Sequence, residues 1–208
     1  MLNNHLIAEK LFITQSVLLN LETPFVWTSG IKSPIYCDNR KLLSYPIHRD
    51  FIKSELSNCV LDNFPETDLI AGVATAGIPW GVLVADQIKT SFLYVRSQSK
   101  KHGLGKNIEG HYTPNQKILV VEDLISTGKS SIEAVQILQN EGLQVLGVMS
   151  IFNYGFPSTK EKFDALKIPF ISLIDYTNLI AYAQSKEMFT DNNIKKLNSW
   201  RENPEDWN

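Results

Sequence analysis

The sequence predicts an α/β fold in which a central, mostly parallel sheet is flanked by helices. Short apolar runs of strand length recur along the chain, at residues 69–73, 91–95, 117–122, 145–151 and 170–174. Helix-length amphipathic segments, including 78–89 and 129–140, lie between most of them. Strands that alternate with helices in this way form parallel sheets that are covered on both faces.

The segments outside this alternating core differ in character. Residues 5–20 carry apolar positions at helical spacing, which predicts an amino-terminal helix. Residues 23–45 are irregular and rich in Thr, Pro, Ser, Gly and aromatic side chains, which makes them a candidate substrate-facing segment. The polar tail at 190–208 carries two tryptophans and is expected to pack as a terminal helix.

Residues 96–116 form the one long polar stretch inside the core, and this stretch is basic at its start. Loops of such length inside a compact domain are usually functional lids or disordered segments. We therefore expect a mobile loop here that closes over a ligand.

Composition restricts the possible partners. Hydrophobic residues make up 43% and charged residues 20% of the chain, and the formal net charge is −2. This charge offers no general attraction for nucleic acid or an anionic membrane, so any anion site must be local. The two cysteines indicate reduced thiols, and no apolar run reaches the roughly 18 residues of a spanning helix. These features predict a cytoplasmic protein.

The stretch VVEDLISTGKSS at 120–131 carries the strongest chemical signal. It ends in the Gly-Lys-Ser of a nucleotide-binding P-loop, but the first glycine of that motif would fall at Asp123, so the P-loop interpretation fails. A buried strand, Ile118 to Val121, is predicted to end in the carboxylates of Glu122 and Asp123. A turn of small hydroxyl residues and glycine then opens a helix.

This arrangement favours a sugar phosphate as ligand. The turn lies at the carboxyl end of a parallel strand, where ligands bind, and the helix start offers free N–H groups to one phosphate. Ser126, Thr127, Gly128, Lys129 and Ser130 would surround that phosphate. Ionised Glu122 and Asp123 would repel a second phosphate but accept hydrogen bonds from sugar hydroxyls.

The 120–131 segment resembles the signature of the type I phosphoribosyltransferases. In that family two acidic residues bind the ribose hydroxyls of phosphoribosyl pyrophosphate (PRPP), and the following loop holds its 5-phosphate. The fold implied is the type I phosphoribosyltransferase fold, with a small amino-terminal hood and a long catalytic loop. We expect a single domain over 1–208, with the hood at about 1–45, the core at about 46–190 and the tail at 191–208.

Three further segments resemble orotate phosphoribosyltransferases in particular. They are the hood motif SGIKSPIYCDNR (29–40), the pyrophosphate loop GVATAGIP (72–79) and the catalytic loop RSQSKKHGLG (96–105). The resemblance implies that orotate is bound by Lys32, Tyr36, Cys37 and Ser126. It assigns PRPP to Thr75, Ala76, Arg96, Lys100, Lys101, His102, Glu122, Asp123, Leu124, Ile125, Ser126, Thr127, Gly128, Lys129 and Ser130.

The resemblance implies transfer of the 5-phosphoribosyl group from PRPP to N1 of orotate, giving orotidine 5-monophosphate and pyrophosphate. Lys100, His102 and Asp123 are the catalytic candidates. Mg²⁺ is the expected cofactor, held mainly by substrate with no direct protein ligand. A homodimer is also implied, in which the 96–116 loop contributes to the partner's site, with no nucleic-acid or membrane partner.

The sequence departs from the family pattern at several places and leaves two alternatives open. Ser97 and Thr75-Ala76 stand where many members carry lysine, and Phe152-Asn153-Tyr154 stands where some carry an orotate-binding arginine. A purine phosphoribosyltransferase would share the 118–131 motif but not the hood motif. A non-catalytic regulator that senses PRPP would usually add a DNA-binding module, for which the chain has no spare length.

Overall fold

The structure, a computed structural model, describes residues 3–27, 30–96, 107–204 and 207. The helices are α1 (Asn4–Ile13), α2 (Pro46–Asn63), α3 (Gly77–Ile88), α4 (Lys129–Asn140), α5 (Pro157–Leu166), α6 (Tyr176–Ser185) and α7 (Asp191–Glu202), with a 3₁₀ helix at Asn39–Ser44. The strands are β1 (Val17–Leu19), β2 (Phe25–Val26), β3 (Lys32–Ser33), β4 (Ile35–Cys37), β5 (Leu69–Val73), β6 (Ser91–Val95), β7 (Ile108–Glu109), β8 (Lys117–Ile125), β9 (Gln144–Asn153) and β10 (Phe170–Asp175).

Six strands form the central sheet, in the order β10-β9-β8-β5-β6-β7. All neighbouring pairs are parallel except β6 with β7, which is antiparallel. Every residue of β5, at the centre, is buried, because helices cover both faces of the sheet. The predicted α/β architecture with a mostly parallel sheet is therefore confirmed.

The alternation of strands and helices follows the sequence prediction closely in the core. The five apolar runs all form strands, and α4 covers the predicted residues 129–140. Gly142, beyond the end of α4, has a φ of +79° and its amide donates to the carbonyl of Gln139, which turns the chain toward β9. No helix among the described residues has both the length and the apolar character needed to cross a membrane.

Two predicted boundaries are wrong. The amino-terminal helix ends at Ile13 instead of continuing to 20, and Val17–Leu19 forms a strand antiparallel to Ile35–Cys37. The core strand predicted to end before the carboxylates continues to Ile125, because it keeps pairing with β9 to that point. Glu122 and Asp123 consequently lie within β8, and their backbones are fixed by the sheet.

The hood consists of two small antiparallel sheets, β1 with β4 and β2 with β3, followed by the 3₁₀ helix. The predicted terminal helix is confirmed as α7, which begins after Thr190, whose hydroxyl accepts from the amide of Asn193. Trp200 of α7 is fully buried, and its Nε1–H donates to the carbonyl of Lys32 at 2.9 Å. The tail therefore holds the hood in place.

Candidate active site

The candidate site lies where β5 ends alongside β8, which itself continues to Ile125. These neighbouring parallel strands are paired so that Gly72 lies opposite Val121. The turn after β5 leads into α3, and the turn after β8 leads into α4. The carboxyl ends of adjacent parallel strands are where ligands bind in open α/β sheets. Two of the predicted binding segments therefore meet at the carboxyl end of the sheet.

Glu122 is almost fully buried at this end of the sheet, with 5% of its surface exposed. Its Oε2 accepts from the hydroxyl of Ser130 at 3.2 Å, and its Oε1 accepts from the amide of Asp123 at 3.2 Å. Burial, and then the charge of Asp123, raise the pKa of Glu122 well above its ordinary value. The side chain thus connects the strand to the start of α4 and retains a proton more readily than an exposed carboxyl.

Asp123, which follows it, is half-buried. Burial raises its pKa, while a hydrogen bond with Glu122 and the charge of Arg40 oppose the rise. Its backbone carbonyl accepts from Nδ2 of Asn39 at 2.7 Å, a contact that joins the hood to the core. The two carboxyls therefore lie together, next to a hood cation, as acceptors for hydroxyl groups.

The turn at 126–128 is built to present N–H groups. Gly128 has a φ of +74°, a left-handed conformation that glycine adopts without steric cost. As the N-cap residue of α4, Gly128 has no side chain that could cap the helix, which leaves its first amides available for an anion. Ser126 is half-buried, while Thr127, Lys129 and Ser130 are exposed around this turn.

Helix α5 holds the same turn from behind. The Thr159 hydroxyl donates to the carbonyl of Ser126 at 2.7 Å, and Nζ of Lys162 donates to the carbonyl of Thr127 at 3.3 Å. Because these carbonyls are held toward α5, the opposite side of the turn is left to its amides and hydroxyls. No spacing in the sequence indicated that α5 would contribute to the site.

The turn after β5 is packed against protein. A Cβ on Gly77 would lie 2.4 Å from the carbonyl oxygen of Val121, and a Cβ on Gly72 would lie 2.9 Å from the carbonyl oxygen of Gly77. These two glycines therefore let α3 approach the strands. Thr75 is exposed and Ala76 is half-buried, and the peptide bond between Ala74 and Thr75 is cis.

Arg96 follows β6, next to the turn after β5, since Val73 pairs with Val95. Its guanidinium donates to the Tyr94 hydroxyl at 3.1 Å and lies 4.0 Å from the carboxylate of Glu109. Its backbone carbonyl accepts from Asn107 Nδ2. The remaining predicted loop residues, Ser97, Lys100, Lys101 and His102, lie outside the described residues.

The predicted orotate residues lie on the hood strands. Tyr36 is 38% exposed and its ring lies 5.6 Å from that of Phe25, while Lys32 is exposed on β3. Cys37 is buried, and its thiol donates to Oδ1 of Asn39 at 3.3 Å. Burial raises the pKa of the Cys37 thiol well above its ordinary value, so this group stays neutral and supports Asn39.

Asn39 and Arg40 belong to the hood motif, but the family resemblance gives neither of them a role. Asn39 donates to the backbone carbonyl of Asp123, and the charge of Arg40 acts to lower the pKa of the Asp123 carboxyl. Their position shortly after Tyr36 and Cys37 was the available signal. Among the described residues, no group of three or more His, Cys, Asp and Glu side chains is arranged to hold a metal ion.

Comparison with known sequences gives a consistent picture. The phosphoribosyl transferase domain family matches residues 47–176. An orotate phosphoribosyltransferase of Bacillus subtilis is 48% identical over 204 residues, covering 97% of this chain and 94% of the relative. Another, from Bacteroides thetaiotaomicron, is 46% identical over 202 residues, covering 97% of this chain and 95% of the relative.

Solved structures share the fold at lower identity. UMP synthase of Leishmania donovani superposes with a TM-score of 0.81 at 23% identity, covering 96% of this chain but 42% of that protein. Orotate phosphoribosyltransferase of Aeropyrum pernix superposes with a TM-score of 0.74 at 22% identity, covering 86% of this chain and 99% of that one. The likeness extends over nearly the whole chain and establishes the type I phosphoribosyltransferase fold.

Proposed function

The chain belongs to the orotate phosphoribosyltransferase family, and from this premise we infer that it transfers the 5-phosphoribosyl group of PRPP to N1 of orotate. The products are orotidine 5-monophosphate and pyrophosphate, so the protein is a pentosyltransferase. This reaction belongs to pyrimidine nucleotide synthesis, and we place it in the de novo route to UMP.

The observation that carries this function is the pairing of Glu122 and Asp123 with the 126–130 turn. Two carboxyls lie at the end of one strand, and an uncapped helix start with exposed hydroxyls follows within a few residues. Hydroxyls of a ribose fit the carboxyls, and a single phosphate fits the turn. As positive charge grows on the ribose ring during transfer, Asp123, the less buried of the two carboxyls, would supply negative potential next to it, while Glu122 holds the start of α4 through Ser130.

The leaving group needs positive charge on the opposite side of the ribose. We propose that Arg96 and the turn at Thr75 and Ala76 hold the pyrophosphate of PRPP. Lys100, Lys101 and His102 would join them when the 96–116 loop closes. Lys100 and His102 would then neutralise or protonate the departing pyrophosphate, and closure would exclude water from the activated ribose.

We also propose Mg²⁺ as the cofactor. When bound, it would supply positive charge that neutralises the negative charge developing on the pyrophosphate. Glu122 and Asp123 are hard oxygen donors of the right kind, but the part of the chain that the structure describes holds no larger acidic cluster. This donor set fits an ion that is held mainly by PRPP and touches the protein through few groups.

We further propose a homodimer in the cytoplasm. The family resemblance gives the 96–116 loop a contribution to the partner's site, which would make each site depend on both copies. Sedimentation at micromolar concentration, together with activity recovered by mixing a Lys100→Ala subunit with an Asp123→Asn subunit, would test this arrangement. Failure of the mixed dimers to regain activity would count against shared sites.

The function itself is tested by orotate-dependent release of pyrophosphate from PRPP, with and without Mg²⁺. We expect release with orotate and none with adenine, guanine or hypoxanthine, and we expect it to stop when the metal is chelated. Asp123→Asn should weaken productive PRPP binding, whereas Lys100→Ala should lower turnover more than affinity. Release driven by a purine, or normal kinetics in Asp123→Asn, would refute the respective assignment.

A further inference from the structure

We propose that Arg40 binds the carboxylate of the pyrimidine substrate and is therefore a specificity-determining residue. This inference rests on the proposed function, because it assigns a contact within the same reaction. It concerns a residue for which the motif comparison gave no role. Three features of the hood support it. They are the hydrogen bonds that hold Asn39, the hydrogen bonds from Arg40 to Asp38, and the charges around the guanidinium.

The hydrogen bonds of Asn39 hold the hood against the strand that bears Glu122 and Asp123. Asn39 is fully buried, and its Nδ2 donates to the backbone carbonyl of Asp123 at 2.7 Å, across 84 residues of sequence. Its Oδ1 accepts from the thiol of Cys37 at 3.3 Å. With its amide held at both ends, Asn39 keeps the start of the 3₁₀ helix against the carboxylate-bearing strand. Arg40, the next residue, is thereby placed at the edge of the site.

Two hydrogen bonds to Asp38 fix the orientation of Arg40. Oδ1 of Asp38 accepts from both Nε and the backbone amide of Arg40, at 2.6 Å and 3.3 Å. The Arg40 side chain nevertheless remains 61% exposed. Its two terminal nitrogens make no hydrogen bond within the described residues, so the outer face of the guanidinium is available. A guanidinium presents parallel N–H donors that match a carboxylate in a planar, two-point contact.

The surrounding groups identify the kind of anion. Asp38, then Tyr36 and Asp123, are the charged or ionisable groups that raise the pKa of Arg40, so all three lie within its electrostatic range. Asp38 and Asp123 together outweigh the single positive charge of Arg40, so an anion would be held here by the paired N–H donors of the guanidinium and not by excess positive charge. This arrangement suits a single carboxylate better than a polyphosphate. The 5-phosphate has its own turn at 126–130, with Lys129 exposed beside it.

The neighbouring aromatic pair indicates where the ring of the substrate lies. Tyr36 precedes Arg40 by four residues, is partly exposed and packs on Phe25. A flat, partly exposed ring is a suitable surface for a planar base. A pyrimidine lying on Tyr36 would bring a carboxylate on that ring toward the Arg40 guanidinium, while its N1 faces the ribose held at Asp123. Bases without the carboxylate would leave the Arg40 guanidinium without this partner.

The test uses the full chain and three ligands, namely orotate, orotate methyl ester and pyrophosphate. In Arg40→Gln we expect the KM for orotate to rise roughly 10- to 100-fold, as for the loss of a charge-assisted hydrogen bond pair. The KM for PRPP and the inhibition constant of pyrophosphate should stay within about 3-fold of wild type. Arg40→Lys should recover only part of the affinity, since it keeps the charge but loses the planar pair of donors.

Orotate methyl ester separates the carboxylate contact from other effects. In wild type, the inhibition constant of the ester, measured in competition with orotate, should lie well above the KM for orotate, whereas in Arg40→Gln the two constants should be almost equal. Asp38→Asn, which removes the negative charge that holds Nε of Arg40, should raise the orotate KM less than Arg40→Gln does. Arg201→Gln, at a half-buried arginine on α7 that donates to the Thr177 hydroxyl, serves as the control and should leave the orotate KM unchanged.

Several outcomes would overturn the proposal. They are an unchanged orotate KM in folded Arg40→Gln, an equal preference for acid over ester in wild type and variant, or a selective loss of pyrophosphate inhibition. Arg40 is mostly exposed, so its variants are expected to fold, and circular dichroism with thermal unfolding would verify this. Absence of orotate-dependent release in the wild-type protein would instead refute the proposed function.

Discussion

Two turns lie at the carboxyl end of the sheet, 74–76 after β5 and 126–128 after β8. Both contain or adjoin a glycine, but the glycine has a different structural role in each. Each is followed by a helix and is bordered by glycine. In the first, Gly77 brings the helix into contact with the carbonyl of Val121, so the glycine faces protein. In the second, Gly128 adopts a left-handed conformation and leaves an uncapped helix start facing outward. Glycine content alone therefore does not identify a phosphate-binding turn.

The largest effect is expected from Gly77→Ala. The new Cβ would lie 2.4 Å from the Val121 carbonyl oxygen, and both backbones are fixed by the sheet and helix. We expect the free energy of unfolding to fall by about 3 kcal/mol. Denaturant unfolding of the unliganded protein measures this.

Gly128→Ala is the matched comparison at the second turn. Its Cβ would lie 3.0 Å from the side chain of Phe163, and its cost comes mainly from the positive φ, at about 1–2 kcal/mol. We expect the PRPP KM to rise more clearly in this variant. Equal stability losses in the two variants would contradict the distinction between a turn packed against fixed backbone and one packed only against side chains.

A second effect concerns Glu122, which lies beneath both turns. Its pKa is raised in the folded protein, so the native state keeps a proton that the unfolded chain has already released. Stability is therefore expected to fall as pH rises from the unfolded pKa of about 4.3 through the folded value. Glu122→Gln should remove this loss, by at most about 1.4 kcal/mol per pH unit.

Urea unfolding of wild type and Glu122→Gln between pH 5 and pH 9 provides the measurement. The two stability curves should diverge as pH rises, with the variant becoming the more stable protein at the alkaline end. Ser130→Ala removes the hydroxyl that bonds Glu122 and serves as a control for loss of that contact alone. Parallel curves for wild type and Glu122→Gln would show that Glu122 does not titrate with a raised pKa.

The smallest effect is expected from Thr159→Val, which keeps the shape but removes the hydroxyl that holds the Ser126 carbonyl. Loss of this hydrogen bond should cost about 1 kcal/mol of stability. The PRPP KM should rise a few-fold, since the 126–128 turn loses part of its support. Steady-state kinetics with varied PRPP measure this change.

Thr90→Val is the control for that variant, because the Thr90 hydroxyl also donates to a backbone carbonyl, that of Asp68, at the opposite end of β5. Its PRPP KM should match wild type. If both threonine variants raise the PRPP KM equally, the effect on binding arises from a general loss of stability and not from the turn.

The fold was predictable where local pattern and tertiary context agree. The core strands are continuous apolar runs, and α4 carries its apolar residues on one face, so both could be placed from sequence. The helical spacing of 5–20 misled at Val17–Leu19, because pairing with Ile35–Cys37 decides the conformation there. Helix α2 received no prediction, although Pro46 at its first turn and buried Ile52, Leu56 and Val60 at helical spacing mark it.

The site was predictable to the extent that its residues are consecutive. Glu122, Asp123 and the 126–130 turn form one segment, so their proximity follows from the chain itself. The contacts of Asn39 with Asp123 and of Thr159 with Ser126 join residues 84 and 33 positions apart. Sequence periodicity carries no information on which side chains meet across such distances. These contacts depend on the register of the sheet and on how the hood packs against the core.

The hydrogen bond from Trp200 to the carbonyl of Lys32 joins parts of the chain 168 residues apart. Because a ribosome delivers the chain from its amino end, hood residues emerge long before α7 has been made. Until then, the rings of Trp27 and Tyr154 lack the indole against which they pack in the finished protein. The packing of the hood against the core is therefore completed only after α7 has been made.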